Sequence, residues 1–424
     1  MRSQLNEFLT RTGPGTPMGE LFRRYWQPVL MSSDLPAPDC PQVRVKLLSE
    51  RLLAFRDSEG RLGLVDEFCA HRGASLWFGR NEESGIRCAY HGWKYDVTGQ
   101  CVELPSEPVE TGICKAIRLK SYPLVERGGI LWAYMGPPEL RPPLPEFEFA
   151  MVGDKHRFLS KRVQETNYLQ AVEGATDPDH LAFLHRGTLN ADRLMSGSRD
   201  FNPHDSQIKY EVVETDGGLL FATRRNAENG NYAWRCQHWA FPTFNIVAPR
   251  ADNPVLGHLF VPIDDENCWN WNYNYHPTRE LSDEEVKAMK EGHGIHARLI
   301  PGTFTPVQNK NNDYLMDRAA QKAGITFSGI EGFGMQDSSI QESQGTIADR
   351  GKEFLVATDT SIIMIRRRLQ KAAEALQKGV PPPGLDPVTH RVRSAAMLLP
   401  RDVPFMDAFK DALKVRDGVP YATL

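Results

Sequence analysis

Long hydrophobic runs are missing from this 424-residue chain, and no segment approaches the ~18 apolar residues that a membrane-crossing helix needs. The opening stretch, Met1-Arg2-Ser3-Gln4-Leu5-Asn6-Glu7, has no apolar core of the kind a secretory signal carries. Cysteine is scarce and odd in number, seven in all, which speaks against a disulfide scaffold. Together these absences set the expectation of a cytoplasmic protein that does not enter a membrane. No long Lys/Arg run occurs and the formal net charge is −4, so nucleic acid is not an expected partner. A flavin or nicotinamide fingerprint is also lacking, which assigns any such cofactor to another polypeptide. Internal repeats and low-complexity tracts are absent, which excludes repeat architectures.

What remains is the composition of a globular protein, 41% hydrophobic and 25% charged. The chain is too long for one ordinary core and is expected to form two domains. Its most informative feature is a pair of short motifs, with sixteen residues between His71 of the first and Cys88 of the second: Cys69-Ala70-His71-Arg72-Gly73-Ala74 and Cys88-Ala89-Tyr90-His91-Gly92-Trp93-Lys94-Tyr95. Two thiolates and two imidazoles can hold one metal centre. Where histidines replace two cysteines of a [2Fe–2S] cluster, the result is a Rieske centre with a raised reduction potential. Structural zinc accepts the same Cys2His2 set, but zinc fingers pair Cys with Cys and His with His, whereas each motif here supplies one of each. Both motifs run into glycine, which lets backbone fold tightly around inorganic sulfide. Cys40, Cys101, Cys114, Cys236 and Cys268 read as ordinary small residues or free thiols.

Along the chain, residues near 20–30 read as helical and aromatic-rich. From Val43 to Met135 the signals are short strands and turns, with Val43, Val45 and Leu47 alternating against Arg44 and Lys46, and a turn at Asp57-Ser58-Glu59-Gly60. A small all-β domain with the Cys/His motifs at its loop tips fits this region. The prolines at 137, 138, 142, 143 and 145 mark a boundary, dividing the chain into 1–148 and 149–424. Beyond it the pattern is mixed α and β. Tyr210 to Arg225 reads as a hairpin turning at Asp216-Gly217. Trp269, Trp271, Tyr273 and Tyr275 alternate with Asn270, Asn272 and Asn274, a strand with one aromatic face. Ser282-Asp283-Glu284-Glu285 is a capping box, and the strongest helix spans Thr360 to Lys378.

The second region holds Asp177-Pro178-Asp179-His180-Leu181-Ala182-Phe183-Leu184-His185. Non-haem iron(II) that activates dioxygen favours two histidines and one carboxylate on one face. His180 and His185 are the candidate imidazoles; their spacing puts them ~140° apart on an ideal helix, so a bend, a π-bulge or a helix end is expected near Phe183. A surface pair of histidines is the plain alternative. Asp177 can lie one turn from His180 and accept from its non-metal nitrogen. The carboxylate ligand must come from elsewhere: Asp337, in Gln336-Asp337-Ser338-Ser339-Ile340-Gln341-Glu342, is a ligand or a helix cap, and Asp359 is a rival that better suits the N-cap of the long helix.

With both motifs in hand, the chain resembles the oxygenase (α) component of Rieske non-haem iron oxygenases, over nearly its whole length. Similarity to the phthalate-dioxygenase branch is carried by Asn167-Tyr168-Leu169-Gln170-Ala171-Val172-Glu173-Gly174, by Val261-Pro262-Ile263-Asp264-Asp265-Glu266-Asn267-Cys268-Trp269 and by Tyr275-His276-Pro277-Thr278-Arg279. The resemblance implies an α+β protein: an N-terminal Rieske domain followed by a helix-grip (START-like) catalytic domain, an antiparallel sheet around a long helix. It implies that Cys69, His71, Cys88 and His91 hold the [2Fe–2S] cluster and that His180, His185 and Asp337 hold mononuclear iron(II). It further implies that Asp177 bridges His180 to the cluster ligand His91 of an adjacent subunit in a trimer or stacked hexamer. A separate NAD(P)H-dependent flavin/iron–sulfur reductase would supply electrons.

The activity implied is hydroxylation, in the first place cis-dihydroxylation, of an aromatic carboxylate with O2. Oxidative O-demethylation of a methoxylated aromatic acid shares every metal ligand and is the alternative; a Rieske electron-transfer or zinc-stabilised protein would need no second domain with its own histidine pair. A substrate carboxylate calls for a bidentate guanidinium, with Arg199, Arg224, Arg225 and Arg250 as candidates against a plain surface role. Glu173 faces the iron cavity or serves structurally.

Overall fold

The computed structural model describes residues 1, 3–197 and 208–424. The chain divides into two compact units, Thr12–Pro142 and Met1–Arg11 with Pro143–Leu424. The division expected after residue 148 therefore falls at Pro142, inside the proline-rich segment. The opening helix Ser3–Thr10 belongs to the second unit: Tyr168 Oη donates to Leu9 O at 2.6 Å, and Asn167 Nδ2 to Thr10 O at 2.9 Å.

The first unit is built of three small antiparallel sheets. One joins Trp26–Met31, Ile130–Tyr134 and Leu124–Arg127; a second joins Val43–Leu47, Glu50–Arg56 and Leu62–Asp66. The helix expected over 20–30 ends at Arg23, and Trp26–Met31 is a strand instead. Pro28 is compatible with this because the strand is an edge, where a missing N–H breaks no ladder; the register slips between Pro28 and Leu30. The third sheet, Arg80–Glu82, Gly85–Arg87, Lys94–Tyr95 and Cys101–Glu103, supports the second Cys/His motif. Leu53, Phe55, Val65, Leu76, Ile86 and Tyr95 are buried in one cluster with Cys69 and Cys88, so the motif cysteines are rooted in the core.

The second unit is an eight-stranded antiparallel sheet. Its order is Arg157–Gln164, Cys268–Tyr275, Val255–Pro262, Phe244–Val247, Asn231–Ala240, Gly218–Asn226 and Lys209–Thr215, with Ala395–Pro400 pairing on Asn231–Ala240. The hairpin turns at Asp216-Gly217, with Thr215 opposite Gly218. Packed with the sheet are helices Tyr168–Thr176, Phe333–Ser343 and Thr360–Leu376. Ser282 and Glu285 form the expected capping box of Asp283–Lys290.

Cys268–Tyr275 has its aromatic face, but the asparagine face is buried as well. Those amides are affordable inside only because they are bonded: Asn270 Nδ2 to Gln164 Oε1 at 2.8 Å, Asn272 Oδ1 with His258 Nδ1 at 2.8 Å, and Asn274 Oδ1 with His296 Nε2 at 2.9 Å. The sheet thus presents a polar interior face beside the Phe333–Ser343 helix, where Arg162 donates to Gly334 O and Ser338 Oγ.

Candidate metal centres

The two Cys/His motifs fold into loops closed in the same way. Gly73 N–H donates to Cys69 O at 2.9 Å and Cys69 N–H to Ala74 O at 2.9 Å; Gly92 N–H donates to Cys88 O at 3.0 Å and Cys88 N–H to Trp93 O at 2.8 Å. Each glycine sits at positive φ, +70° at Gly73 and +75° at Gly92, where a side chain would be strained. The closure buries both cysteines at the loop roots and leaves the imidazoles at the tips, with ring centroids 4.5 Å apart and His71 stacked on Trp93 at 4.4 Å.

Tyr95 Oη lies 3.2 Å from Cys69 Sγ and accepts from Ala70 N–H at 3.2 Å. A ligating sulfur is a thiolate with no proton, so the phenol is then the donor. Burial first, and then Cys69, push the Tyr95 phenol well above its ordinary range, so it stays protonated for that role. Two buried thiols and two exposed-edge imidazoles in matched loops fit a [2Fe–2S] group.

In the second unit the sequence around the paired histidines cannot stay helical. The Tyr168–Thr176 helix ends at Asp177, His180–Ala182 forms a single 3-10 turn, and Phe183 breaks it at φ −113°, ψ −68°. That helix end brings His180 and His185 together, with ring centroids 5.0 Å apart. Asp337 meets them from the second turn of the Phe333–Ser343 helix, within the helix rather than at its cap. His185 Nε2 stands 3.1 Å and His180 Nε2 3.5 Å from Asp337 Oδ1, and one donor atom from each of the three residues lies within 4.8 Å of the others.

The protonation of His185 follows from its neighbours. Gln336, fully buried, donates through Nε2 to Ile330 O at 2.9 Å and Thr188 Oγ1 at 2.8 Å. Its Oε1 must therefore face His185 Nδ1, 2.7 Å away, and that nitrogen carries the proton. In the neutral ring the lone pair of Nε2 then points at a carboxylate oxygen, an arrangement that a cation held between them satisfies. Phe333 stacks on the His185 ring at 3.6 Å and fixes its plane. Burial and the neighbouring His185 push the His180 imidazole down, and the net direction is down despite Asp337. Burial pushes the Asp337 carboxyl up, but His185 and His180 pull it below its ordinary value. Two neutral imidazoles and one carboxylate are the donor set suited to non-haem iron(II).

Asp177 is close by. Its Oδ1 accepts from Asp179 N–H at 2.8 Å, and its Oδ2 is 3.9 Å from His180 Nδ1, a buried nitrogen with no hydrogen-bond partner among the described residues. Asp359 instead accepts from Val356 N–H at 2.7 Å and stands outside the three-residue group.

Residues 25–123 match the Rieske [2Fe-2S] domain family, and residues 133–403 match the family described as LigXa C-terminal domain like. The chain belongs to the Rieske non-haem iron oxygenases. It is 36% identical to the 3-chlorobenzoate-3,4-dioxygenase oxygenase subunit of Comamonas testosteroni, covering 96% of this chain and 98% of that one. It is 32% identical to the phthalate 4,5-dioxygenase oxygenase subunit of Pseudomonas putida, over 95% and 93%. The fold matches that of dicamba monooxygenase with a TM-score of 0.58 at 17% identity, over 84% of this chain and 98% of that one. As a Rieske oxygenase, the chain is the oxidoreductase component of a multicomponent system and its cofactors are a [2Fe–2S] cluster and mononuclear iron. Among the described residues no helix is long and apolar enough to cross a membrane.

A cleft partly open to solvent runs beside this group. Leu181, Leu189, Met195 and Leu256 make its apolar walls, and its charged side chains besides Asp177 and Asp337 are Arg235 and Arg250. Burial first, and then repulsion from Arg250 and Arg225, push the Arg235 guanidinium down to about 9; burial and Arg225 push Arg250 down to about 10. The Rieske oxygenase thus places two guanidinium groups and two carboxylates among the apolar walls of the cleft. Arg250 was legible as a candidate anchor; Arg235 was not, because its place on the Asn231–Ala240 strand carries no local signal. Arg225 is buried near them, whereas Arg224 lies over Tyr232 at 4.0 Å, and Arg199 lies outside the described residues. Glu173 is held by Arg350 at 2.9 Å and Arg366 at 2.6 Å, so its carboxylate is engaged in a buried ion network.

Proposed function

We propose that this chain hydroxylates an aromatic carboxylate, by cis-dihydroxylation, as the oxygenase component fed by a separate NAD(P)H-dependent flavin/iron–sulfur reductase. The observation that carries the reading is the Arg235–Arg250 pair in the cleft beside His180, His185 and Asp337. Guanidinium groups in a protein keep their protons and so suit an anionic group of the substrate. A planar carboxylate matches the guanidinium fork, and the leucine- and methionine-lined walls match a ring. The names of the two relatives, on 3-chlorobenzoate and phthalate, support the same class.

In this reading Cys69, His71, Cys88 and His91 hold the cluster, and His180, His185 and Asp337 hold the iron. When bound, the cluster supplies single electrons and the iron supplies the position where O2 is activated. Gln336 fixes the tautomer of His185, Phe333 its plane, and Asp177 accepts from His180 and links it to His91 of an adjacent copy in a trimer or stacked hexamer. The arginine pair orients the ring, and the apolar walls exclude water from it.

The test is a panel of mono- and dicarboxylated aromatics scored by O2 uptake coupled to product. Carboxylated rings are expected to give coupled diol formation, and Arg235→Met to raise KM for them by roughly 100-fold, the order of a buried charge pair losing one partner. Neutral arenes turned over as well as their acids, by wild type and variant alike, would refute the reading. A methoxylated acid that releases formaldehyde in place of a diol would select O-demethylation, which uses the same anchors.

A further inference from the structure

Cys101 and Cys114 are not among the metal-ligand motifs, yet their sulfurs lie 3.6 Å apart. Cys101 opens the short strand Cys101–Glu103, and Cys114 lies in the one-turn helix Ile113–Ala116. The backbone holds them there: Cys101 N–H donates to Ile117 O at 3.0 Å, and the Cys114 thiol donates to Cys101 O at 3.2 Å. Gln100 Nε2 donates to the carbonyls of both residues, at 3.2 Å each. The pair therefore closes the neck of the loop 102–113. A disulfide bond is about 2.05 Å long, so each sulfur needs to move by only about 0.8 Å to make one.

The two thiols have different access. Cys101 is buried and Cys114 partly exposed. Cys114 is therefore the sulfur that a solute meets first, while burial, and then Cys114, push the Cys101 thiol up to about 12. The neck also adjoins the cluster loops. Cys101 is the ladder partner of Tyr95, whose hydroxyl touches Cys69. Pro105, within the loop, covers Gly92 next to His91: a Cβ built on Gly92 would stand 3.0 Å from Pro105 Cγ.

We propose that Cys101 and Cys114 are a dithiol that hydrogen peroxide oxidises reversibly to a disulfide, at the neck of the loop that leans on the second cluster-ligand loop. Peroxide is the two-electron reduction product of O2, released by an oxygenase that reduces O2 without inserting it. The Cys114 thiolate attacks one peroxide oxygen, the O–O bond breaks, and the departing hydroxide takes a proton to leave as water. The Cys101 thiol then attacks the resulting sulfenic sulfur; the S–S bond forms, the S–O bond breaks, and hydroxyl and proton leave as a second water. Two thiols lose two electrons and one peroxide gains them.

Trypsin cleavage after Lys94 and Lys115 releases a peptide, Tyr95–Lys115, that contains these two cysteines and no others. The cluster-loaded full-length protein is treated with a few equivalents of hydrogen peroxide, alkylated and mapped by mass spectrometry, with the visible spectrum confirming cluster retention. The expected result is a Tyr95–Lys115 peptide lighter by two hydrogens, with neither cysteine alkylated, and both alkylation sites recovered after dithiothreitol. Cys114→Ser should leave Cys101 alkylatable at every dose. Cys114 accumulating as sulfinic or sulfonic acid while Cys101 is still alkylated, or Cys40 consumed before the pair, would overturn the proposal.

Discussion

Replacing Gln336 with methionine keeps the volume of a fully buried side chain while deleting its amide. Three groups lose a partner: His185 Nδ1–H, Ile330 O and Thr188 Oγ1. With no acceptor at Nδ1, the imidazole is free to carry its proton on Nε2, the tautomer that cannot ligate a metal through the nitrogen facing Asp337. Deleting such an outer partner weakens metal affinity by roughly 10- to 100-fold, or about 1.4–2.7 kcal/mol. Each orphaned buried group also costs about 1–3 kcal/mol of stability, so the thermal transition of this unit should fall as well. Anaerobic iron(II) titration against a competing chelator measures the affinity, with the visible spectrum as an internal control that the cluster is untouched. Asp337→Ala sets the upper bound, with mononuclear iron lost and the cluster kept; Asp359→Ala should retain both. Wild-type iron affinity in Gln336→Met would refute the tautomer argument and with it the assignment of His185 Nε2.

Asp177→Asn is expected to leave both metals bound and to reduce NAD(P)H-dependent turnover nearly to zero; unchanged turnover would end the bridging role. Tyr95→Phe removes the donor to Cys69 and should lower the cluster potential by roughly 40 mV, the one-electron equivalent of about 1 kcal/mol, read by redox titration. Burial pushes His238, His258 and His390 down to about 4 and His296 to about 3, against an ordinary 6.5. Because the unfolded chain takes up these protons first, the stability they protect is complete above about pH 6.5 and lost as pH falls toward 4. The loss amounts to about 1.4 kcal/mol per pH unit for each histidine; urea midpoints that stay level from pH 7 to 5 would contradict it.

Local chemistry was legible wherever a short stretch of sequence does the work. The Cys/His motifs end in glycines that need positive φ, Ser282 and Glu285 cap each other, and the hairpin turns at Asp216-Gly217. The five-residue spacing of His180 and His185 demanded a helix end, and the chain supplies one at Phe183. Groups assembled from distant strands were not legible. Gln336 and His185 are 151 residues apart in sequence, and nothing near either marks the pairing. Arg235 sits on a strand whose inward face is defined only once the sheet has closed. The asparagines of Cys268–Tyr275 looked like a solvent face because polar residues at period two normally are one; here Gln164 and His258 from neighbouring strands, and His296 from a loop, bond to them in the interior.

The self-closed loops of the first unit have a consequence for assembly. Cys69 and Cys88 are held by backbone bonds to their own loops and by a leucine-rich core, neither of which requires iron or sulfide. The scaffold is therefore preorganised for reconstitution: chelating the cluster away should leave these loops shaped to receive another, so that refilling the protein is an insertion rather than a refolding event.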